Sequence, residues 1–149
     1  MASIFDTNDR AALVARIQRL GPATPRLWGK MDVAQMLAHC QCPLRIALGD
    51  EQLERSLVGV LFGWLAKRQL LAPKPFGKNL PTAPQFKVAD ARVFEKERDA
   101  LLALVKRLGD GGPAALTQKP HPFFGALTVA EWDALQWKHV DHHLRQFGA

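Results

Sequence analysis

The sequence predicts an all-α protein, a four-helix bundle that occupies residues 1–149 as a single domain. Apolar residues recur at steps of three and four along four segments, which is the period of an amphipathic helix. No segment shows the strict alternation of apolar and polar residues that is typical of a strand. The length of 149 residues is enough for one domain with a substantial core. Long amphipathic helices without strands favour a bundle.

The first two helices are predicted in the N-terminal third of the chain. Helix one begins after Thr7 or Asn8, both good N-cap residues, and ends before Gly21 and Pro22. Its apolar face contains Leu13, Val14, Ile17 and Leu20. Helix two begins near Asp32, runs towards Leu48 and is followed by Gly49. Its apolar stripe contains Val33, Met36, Leu37, Cys40 and Leu44.

An extra short helix and a long loop separate helices two and three. The apolar segment from Leu53 to Leu71 predicts the helix, although Gly59 and Gly63 weaken it. The loop runs from residue 72 to about residue 89. It contains four prolines and the apolar residues Phe76, Leu80 and Phe86; the prolines are Pro73, Pro75, Pro81 and Pro84. Because long structureless loops are uncommon in compact domains, we expect this loop to pack over the bundle.

The last two helices carry the clearest signals. Helix three is predicted from about Asp90 to Leu108, before a glycine-rich stretch. Its apolar face contains Phe94, Leu101, Val105 and Leu108. Thr128 and Glu131 form a capping box at the start of helix four, which runs to Phe147.

Composition argues against several classes of function. The net charge is +6, but the lysines and arginines are scattered among acidic residues, so we expect no nucleic-acid partner. The longest apolar run, residues 57–66, is shorter than the roughly 20 residues of a membrane-spanning helix, so we expect no membrane partner. Cys40 and Cys42 are two residues apart, a spacing that disfavours a disulfide within a helix. Free thiols and the lack of a signal peptide predict a cytoplasmic protein.

The inward stripe of helix four contains histidines where a bundle normally has leucine. The stripe consists of Trp132, Gln136, His139, His143 and Phe147. Residues four apart lie one helical turn apart, with about 6 Å of axial rise between them, so His139 and His143 can converge on one metal ion. His39, at the edge of the stripe of helix two, is the natural third ligand.

Other interpretations of these residues stay open. Buried histidines can also hydrogen-bond to one another, without a metal. His142 is interpreted as a surface residue or a neighbour of the site, His121 as a loop-packing residue, and Cys42 as a core residue, yet each is an alternative participant. Side chains that we expect to line a pocket near the histidines are Gln35, Gln136, Trp28 and His121.

Several segments resemble the DinB-like superfamily, and in particular a branch known only as a domain of unknown function. The segments run from Met31 to His39, from Lys78 to Pro84, and from His121 through Lys138 to Phe147. The resemblance implies a four-helix bundle in which His39, His139 and His143 bind zinc or nickel and leave one coordination position open. Members of this superfamily include thiol transferases that use a low-molecular-weight thiol and metal-dependent hydrolases.

The sequence therefore favours a divalent-metal-binding protein, a transferase or hydrolase that acts on a small molecule such as a thiol. The alternative is a non-catalytic binding or structural protein in which the histidine cluster braces the bundle. The apolar segment from Leu57 to Leu71 would be the contact of a homodimer, a state that the resemblance also implies.

Overall fold

The computed structural model describes residues 2–55, 57–78 and 84–149, and within these ranges the protein is all-helical. Its α-helices are α1 (Thr7–Gln18), α2 (Val33–Ala47), α3 (Leu57–Lys67), α4 (Phe94–Gly111) and α5 (Val129–Gln146). Short 3₁₀ helices occupy Pro84–Phe86 and Gly112–Ala115. These ranges contain no strand, and one isolated bridge joins His121 to Gly125. The all-α prediction is confirmed for this part of the chain.

Side-chain caps fix the starts of three helices. The N-cap of α1 is Asp6, whose carboxylate accepts hydrogen bonds from the amides of Asn8 and Asp9, so the prediction of Thr7 or Asn8 was wrong. Asp32 and Gln35 form a capping box at α2, and Thr128 and Glu131 form the predicted one at α5. A capping box satisfies amides that have no partner inside the helix, and so fixes where the helix begins.

Helix α4 is displaced towards the C-terminus relative to its prediction. It begins at Phe94 rather than near Asp90, because Val93 is extended (φ −94°, ψ 114°). It also continues through Gly109 to Gly111 before Gly112 adopts a positive φ of 59°. A Cβ at position 109 would lie 2.3 Å from the side chain of Arg10, so this glycine provides room for Arg10 instead of ending the helix.

Four of the helices surround one apolar core. Helix α2 packs against α4 and α5, and α1 packs against the same two helices, which gives a closed cycle of contacts. The predicted apolar face of α4 is buried, and so is that of α1 except for the partly buried Val14. Helix α2 is the most deeply buried of the four, with 12 of its 15 residues in the interior. A buried hydrogen bond of 2.7 Å from Gln41 to Glu97 joins α2 to α4.

Helix α3 is shorter than predicted and is attached differently from the other helices. It extends over Leu57–Lys67 instead of from Leu53 to Leu71. Its buried residues are Gly59 and Gly63, while most of its large apolar side chains are exposed. A Cβ at Gly63 would lie 2.2 Å from the carbonyl oxygen of Phe123, so the glycine lets the helix contact the turn before α5. The glycines that weaken the helix form its packed face.

The segment after α3 has little regular structure in the residues described. Residues 71–78 are bends and irregular chain, and the 3₁₀ helix Pro84–Phe86 is the regular turn within the predicted loop. Phe76 and Phe86 pack against the core. Leu80, Pro81 and most of the motif from Lys78 to Pro84 lie outside the described residues. None of the helices described here combines the length and hydrophobicity that a bilayer crossing requires.

Candidate metal centre

Three histidine side chains meet between α2 and α5. His39 comes from the middle of α2, and His139 and His143 lie one turn apart on α5. The ring centroids are 4.9 Å apart for His39 and His139, 4.7 Å for His39 and His143, and 4.7 Å for His139 and His143. One nitrogen from each ring lies within 4.8 Å of the other two, so these three histidines could hold a metal ion. The structure brings together the three residues that the sequence singles out.

Two of the rings are oriented by acceptors on their Nδ1 side. The Nδ1 atom of His39 lies 2.8 Å from the carbonyl oxygen of Phe86, and a carbonyl can only accept, so His39 carries its hydrogen on Nδ1. Its Nε2 therefore has a free lone pair, and it lies 3.1 Å from Nε2 of His139. In the absence of a metal, His139 donates its Nε2 hydrogen to His39 across this distance.

The ring of His143 is oriented by Gln146, which is itself held by the backbone at Trp28. The Nε2 of Gln146 donates to the carbonyl oxygen of Trp28 over 2.8 Å, and its Oε1 therefore faces Nδ1 of His143 as an acceptor, also over 2.8 Å. Gly29, with φ of 81°, makes this approach feasible, because a Cβ there would lie 2.3 Å from Nε2 of Gln146. His143 thus presents its Nε2 lone pair as well.

Burial keeps the cluster neutral. It lowers the pKa of His39, although the hydrogen bond to Phe86 opposes this effect. Burial, followed by the nearby His39, lowers the pKa of His143 to about 3. The pKa of His139 is lowered well below its ordinary value by burial and by the surrounding histidines. Metal ligands must be unprotonated, so these imidazoles are ready to bind an ion at neutral pH.

The geometry of the cluster fits a small divalent ion. Two nitrogens that bind one zinc ion at tetrahedral angles lie about 3.3 Å apart, close to the 3.1 Å between His39 and His139. Neutral imidazoles suit zinc, nickel and copper. Orientation of a ligating histidine through its second nitrogen is a general property of metal sites, and Phe86 and Gln146 provide it for two of the three rings.

Aromatic side chains border the cluster on the side of residues 76–78. The ring of His142 is 5.0 Å from that of His143, 5.9 Å from that of Trp28 and 6.3 Å from that of Phe76. The ammonium group of Lys78 lies 4.5 Å from the ring centroid of Trp28. Trp28, predicted to line a pocket, therefore lies beside His142, and His142 is a neighbour of the cluster as the sequence suggested.

A buried lysine holds the segment that carries these aromatic residues. The ammonium group of Lys138 donates to the carbonyl oxygens of Gln69, at 3.0 Å, and Lys74, at 3.3 Å, and also to that of Ala72. Burial lowers the pKa of Lys138. The same ammonium group lies 5.8 Å from the ring centroid of Phe76. Helix α5 thus fixes residues 69–76 beside the histidines that it carries.

Three of the other predicted participants, His121, Gln35 and Cys42, have partners outside the cluster. His121 is buried in the turn before α5, where its Nδ1 accepts hydrogen bonds from the amides of Phe123 and Phe124, and its ring packs against Trp132. Gln35, partly buried, is engaged in its capping box and donates to the carbonyl oxygen of Asp90. The thiol of Cys42 contacts the carbonyl oxygen of Ala38, and both cysteines are free. Gln136 is 1% exposed, one turn before His139.

Sequence reasoning missed three residues that position the site: Gln146, Lys138 and Phe86. Gln146 carries a signal that could have been used, because residues three apart on a helix are neighbours and His143 lies three residues before it. Lys138 interrupts no apolar stripe and gave no signal. Phe86 acts through its backbone carbonyl, which every residue type possesses.

Comparison with known proteins gives a family without an assigned activity. A family described as "Protein of unknown function (DUF1569)" matches residues 4–149. No curated protein and no solved structure matches the chain.

Proposed function

Because this chain belongs to the DUF1569 family of unknown function, we propose its function from the site itself: it binds one divalent metal ion, zinc or nickel, through His39, His139 and His143. The observation that carries the proposal is the convergence of three neutral imidazoles within 4.8 Å of one another. Two of them are already oriented for it by hydrogen bonds on the opposite nitrogen. Three histidines that served only the packing of the helices would not need this common orientation.

The proposal extends to a class of enzyme. The closed cycle of contacts among α1, α2, α4 and α5 supports a DinB-like four-helix bundle, in which such a site belongs to transferases and hydrolases. When bound, a divalent ion with three neutral ligands keeps its full charge and an open position, which can activate a water or a thiolate. Trp28, Phe76 and His142 would hold the apolar part of a small substrate, such as a low-molecular-weight thiol, beside that position.

A non-catalytic role has one observation in its favour. The 3.1 Å contact between His39 and His139 also satisfies both nitrogens as a simple hydrogen bond. In that alternative the cluster braces α2 against α5, and the metal, if present, only stabilises the fold.

The first test is elemental analysis of purified, untagged protein together with a His139→Ala/His143→Ala double variant. We expect about one zinc or nickel ion per chain in the wild type and none in the double variant, since three ligands are reduced to one. His142→Ala is the matched control, because it removes an adjacent imidazole of α5 and leaves the three ligands in place. It should retain the metal.

The outcome separates the two roles. Metal in the wild type, together with rapid exchange of added imidazole or thiol at the ion, supports the enzymatic proposal. Metal that is bound but exchanges no added ligand supports the bracing role. Wild-type protein without metal, even after reconstitution with zinc and with nickel, would refute the metal site.

A further inference from the structure

Three buried polar atoms next to the histidine cluster have no hydrogen-bond partner among the residues that the structure describes. They are Oε1 and Nε2 of Gln136 and Nδ1 of His139. Gln136 is 1% exposed, so bulk solvent does not reach its carboxamide. Buried polar groups are almost always hydrogen-bonded, and an exception calls for a physical explanation.

The other two histidines show what is missing at His139. His39 directs its Nδ1 hydrogen to the carbonyl oxygen of Phe86, and His143 directs its Nδ1 hydrogen to Oε1 of Gln146. His139 faces His39 through Nε2, so its Nδ1 likewise points away from the centre of the cluster. It alone of the three lacks an acceptor there among the described residues.

Gln136 is the candidate for that acceptor. It precedes His139 by three residues on α5, and residues at this spacing are neighbours on the helix surface, with about 5–6 Å between their Cβ atoms. Gln146 is also three residues from a histidine of α5, although it follows His143 where Gln136 precedes His139, and its Oε1 already accepts from Nδ1 of His143. A carboxamide oxygen thus serves one histidine of α5, and a second carboxamide, without partners, lies beside the other.

We infer that Gln136 is the positioning residue of His139: its Oε1 accepts the Nδ1 hydrogen when Nε2 binds the metal ion. The inference rests on the proposed metal site. Without metal, His139 carries its hydrogen on Nε2, and its Nδ1 and both polar atoms of the Gln136 carboxamide have no partner among the described residues. With metal, the hydrogen moves to Nδ1, and Oε1 of the same side chain serves it.

The test compares the zinc affinity of the wild type with that of two variants, measured by competition with a chelator. Gln136→Met keeps the size of the side chain but removes the acceptor, and it should weaken zinc binding 10- to 100-fold. Gln136→Glu keeps an acceptor for the Nδ1 hydrogen and should bind zinc as tightly as the wild type or more tightly. Gln146→Met gives the reference loss for a known partner, and Gln18→Met, at an exposed position of α1, should change nothing.

A second readout does not depend on any variant. In zinc-loaded wild-type protein, proton–nitrogen NMR should show an Nδ1 hydrogen on His139 that exchanges with water as slowly as those of His39 and His143. Fast exchange at His139 would overturn the inference. So would a Gln136→Met variant that is folded and binds zinc as tightly as the wild type. Wild-type protein that binds neither zinc nor nickel would refute the proposed metal site itself, which is a different result.

Discussion

Each of the five histidines of this chain has a pKa below its ordinary value, and burial is the first cause in every case. The imidazoles are therefore neutral at pH 7, and the positive charge of the protein comes from lysine and arginine. His121 differs from the cluster, because its Nδ1 accepts two backbone hydrogen bonds that shape the turn before α5. Protonation of that nitrogen would remove the acceptor from both amides.

His121 should make the stability of the protein depend on pH. Burial lowers its pKa from 6.5 to about 4, so the unfolded chain binds a proton at a higher pH than the folded protein does. Its contribution to the free energy of unfolding is complete above pH 6.5 and declines as the pH falls towards 4. Between pH 7 and pH 5 we expect His121 to account for a loss of about 2 kcal/mol, measured by urea denaturation at both pH values.

His121→Asn is the variant that isolates this effect. The amide oxygen of asparagine can accept from the amides of Phe123 and Phe124 but does not titrate. The variant should lose less stability than the wild type between pH 7 and pH 5, while the remaining histidines contribute equally to both proteins. An identical loss in the two proteins would refute the assignment to His121.

For individual residues, the sequence predicts the candidate metal ligands better than the hydrogen-bond acceptors that orient them. His139 and His143 replace leucine at positions one turn apart, and His39 interrupts another apolar stripe, so their convergence follows from helical geometry. The carbonyl oxygen of Phe86 could not be predicted in this way, because its position depends on how the chain between α3 and α4 folds back over α2. The pairing of Gln146 with His143 was available from spacing alone.

Among the elements, α3 is the one that the other helices leave uncovered. Its buried residues are Gly59 and Gly63, and Gly63 touches the turn at Phe123. Lys67 adds polar contacts at the end of the helix. The ammonium group of Lys67 lies 2.7 Å from the carbonyl oxygen of Ala126 and 3.1 Å from the carboxylate of Glu131. A close backbone contact and one ion pair thus replace the interlocking of apolar side chains that joins the other helices.

A methyl group at Gly63 should displace α3. Its Cβ would lie 2.2 Å from the carbonyl oxygen of Phe123, a backbone atom that cannot rotate away. We expect Gly63→Ala to lower the free energy of unfolding by about 1–3 kcal/mol, the usual cost of overpacking, and to expose residues 57–67 to limited proteolysis. The sign is informative, since glycine to alanine inside a free helix would instead gain about 1 kcal/mol.

Leu61→Ala is the control for this prediction. Leu61 is 64% exposed on the opposite side of the same helix, so its truncation should change stability by no more than about 0.5 kcal/mol. If Gly63→Ala were as stable as the wild type, the result would refute the close packing of α3 against the turn at Phe123.

Helices α3 and α4 show why the boundaries of a helix are harder to predict than its existence. An apolar run such as residues 57–66 has no polar face, so periodicity indicates neither the ends of the helix nor the side that packs. In α4, Gly109 looked like a stop signal but accommodates Arg10 from α1. That contact between distant segments outweighs the low helix propensity of glycine.

On the scale of the whole molecule, α3 carries seven of the eleven exposed large apolar side chains among the described residues. These seven are each at least half exposed; they are Leu57, Val58, Val60, Leu61, Phe62, Trp64 and Leu65. Large contiguous apolar patches on a protein surface usually mark interaction sites. No charge interrupts the helix before Lys67.

This surface predicts a homodimer in which α3 of one copy packs against α3 of another. Light scattering should give a mass near twice the 16.5 kDa of one chain. Phe62→Glu places a charge in the middle of the surface and should shift the mass to that of one chain. Phe62 is 58% exposed, so the variant should fold.

Val129→Glu is the matched control for the dimer. Val129 is 47% exposed at the first position of α5, where a carboxylate interacts favourably with the helix N-terminus. This variant should remain dimeric. If the wild type has the mass of one chain even at high protein concentration, the homodimer is refuted. The apolar surface of α3 would then have to be covered by a different partner.

The distance along the chain between the cluster's members has a consequence for the protein's biosynthesis. His39 and His139 are separated by 100 residues, and the chain of contacts that orients His143 reaches back 118 residues from Gln146 to Trp28. A ribosome completes α2 long before it produces either histidine of α5. An ion at the proposed site therefore cannot organise the nascent chain as zinc organises a small finger, whose ligands lie close together in sequence. All three ligands meet only after α5 has been synthesised and has packed against α2, so binding at the proposed site would report that these two helices have docked.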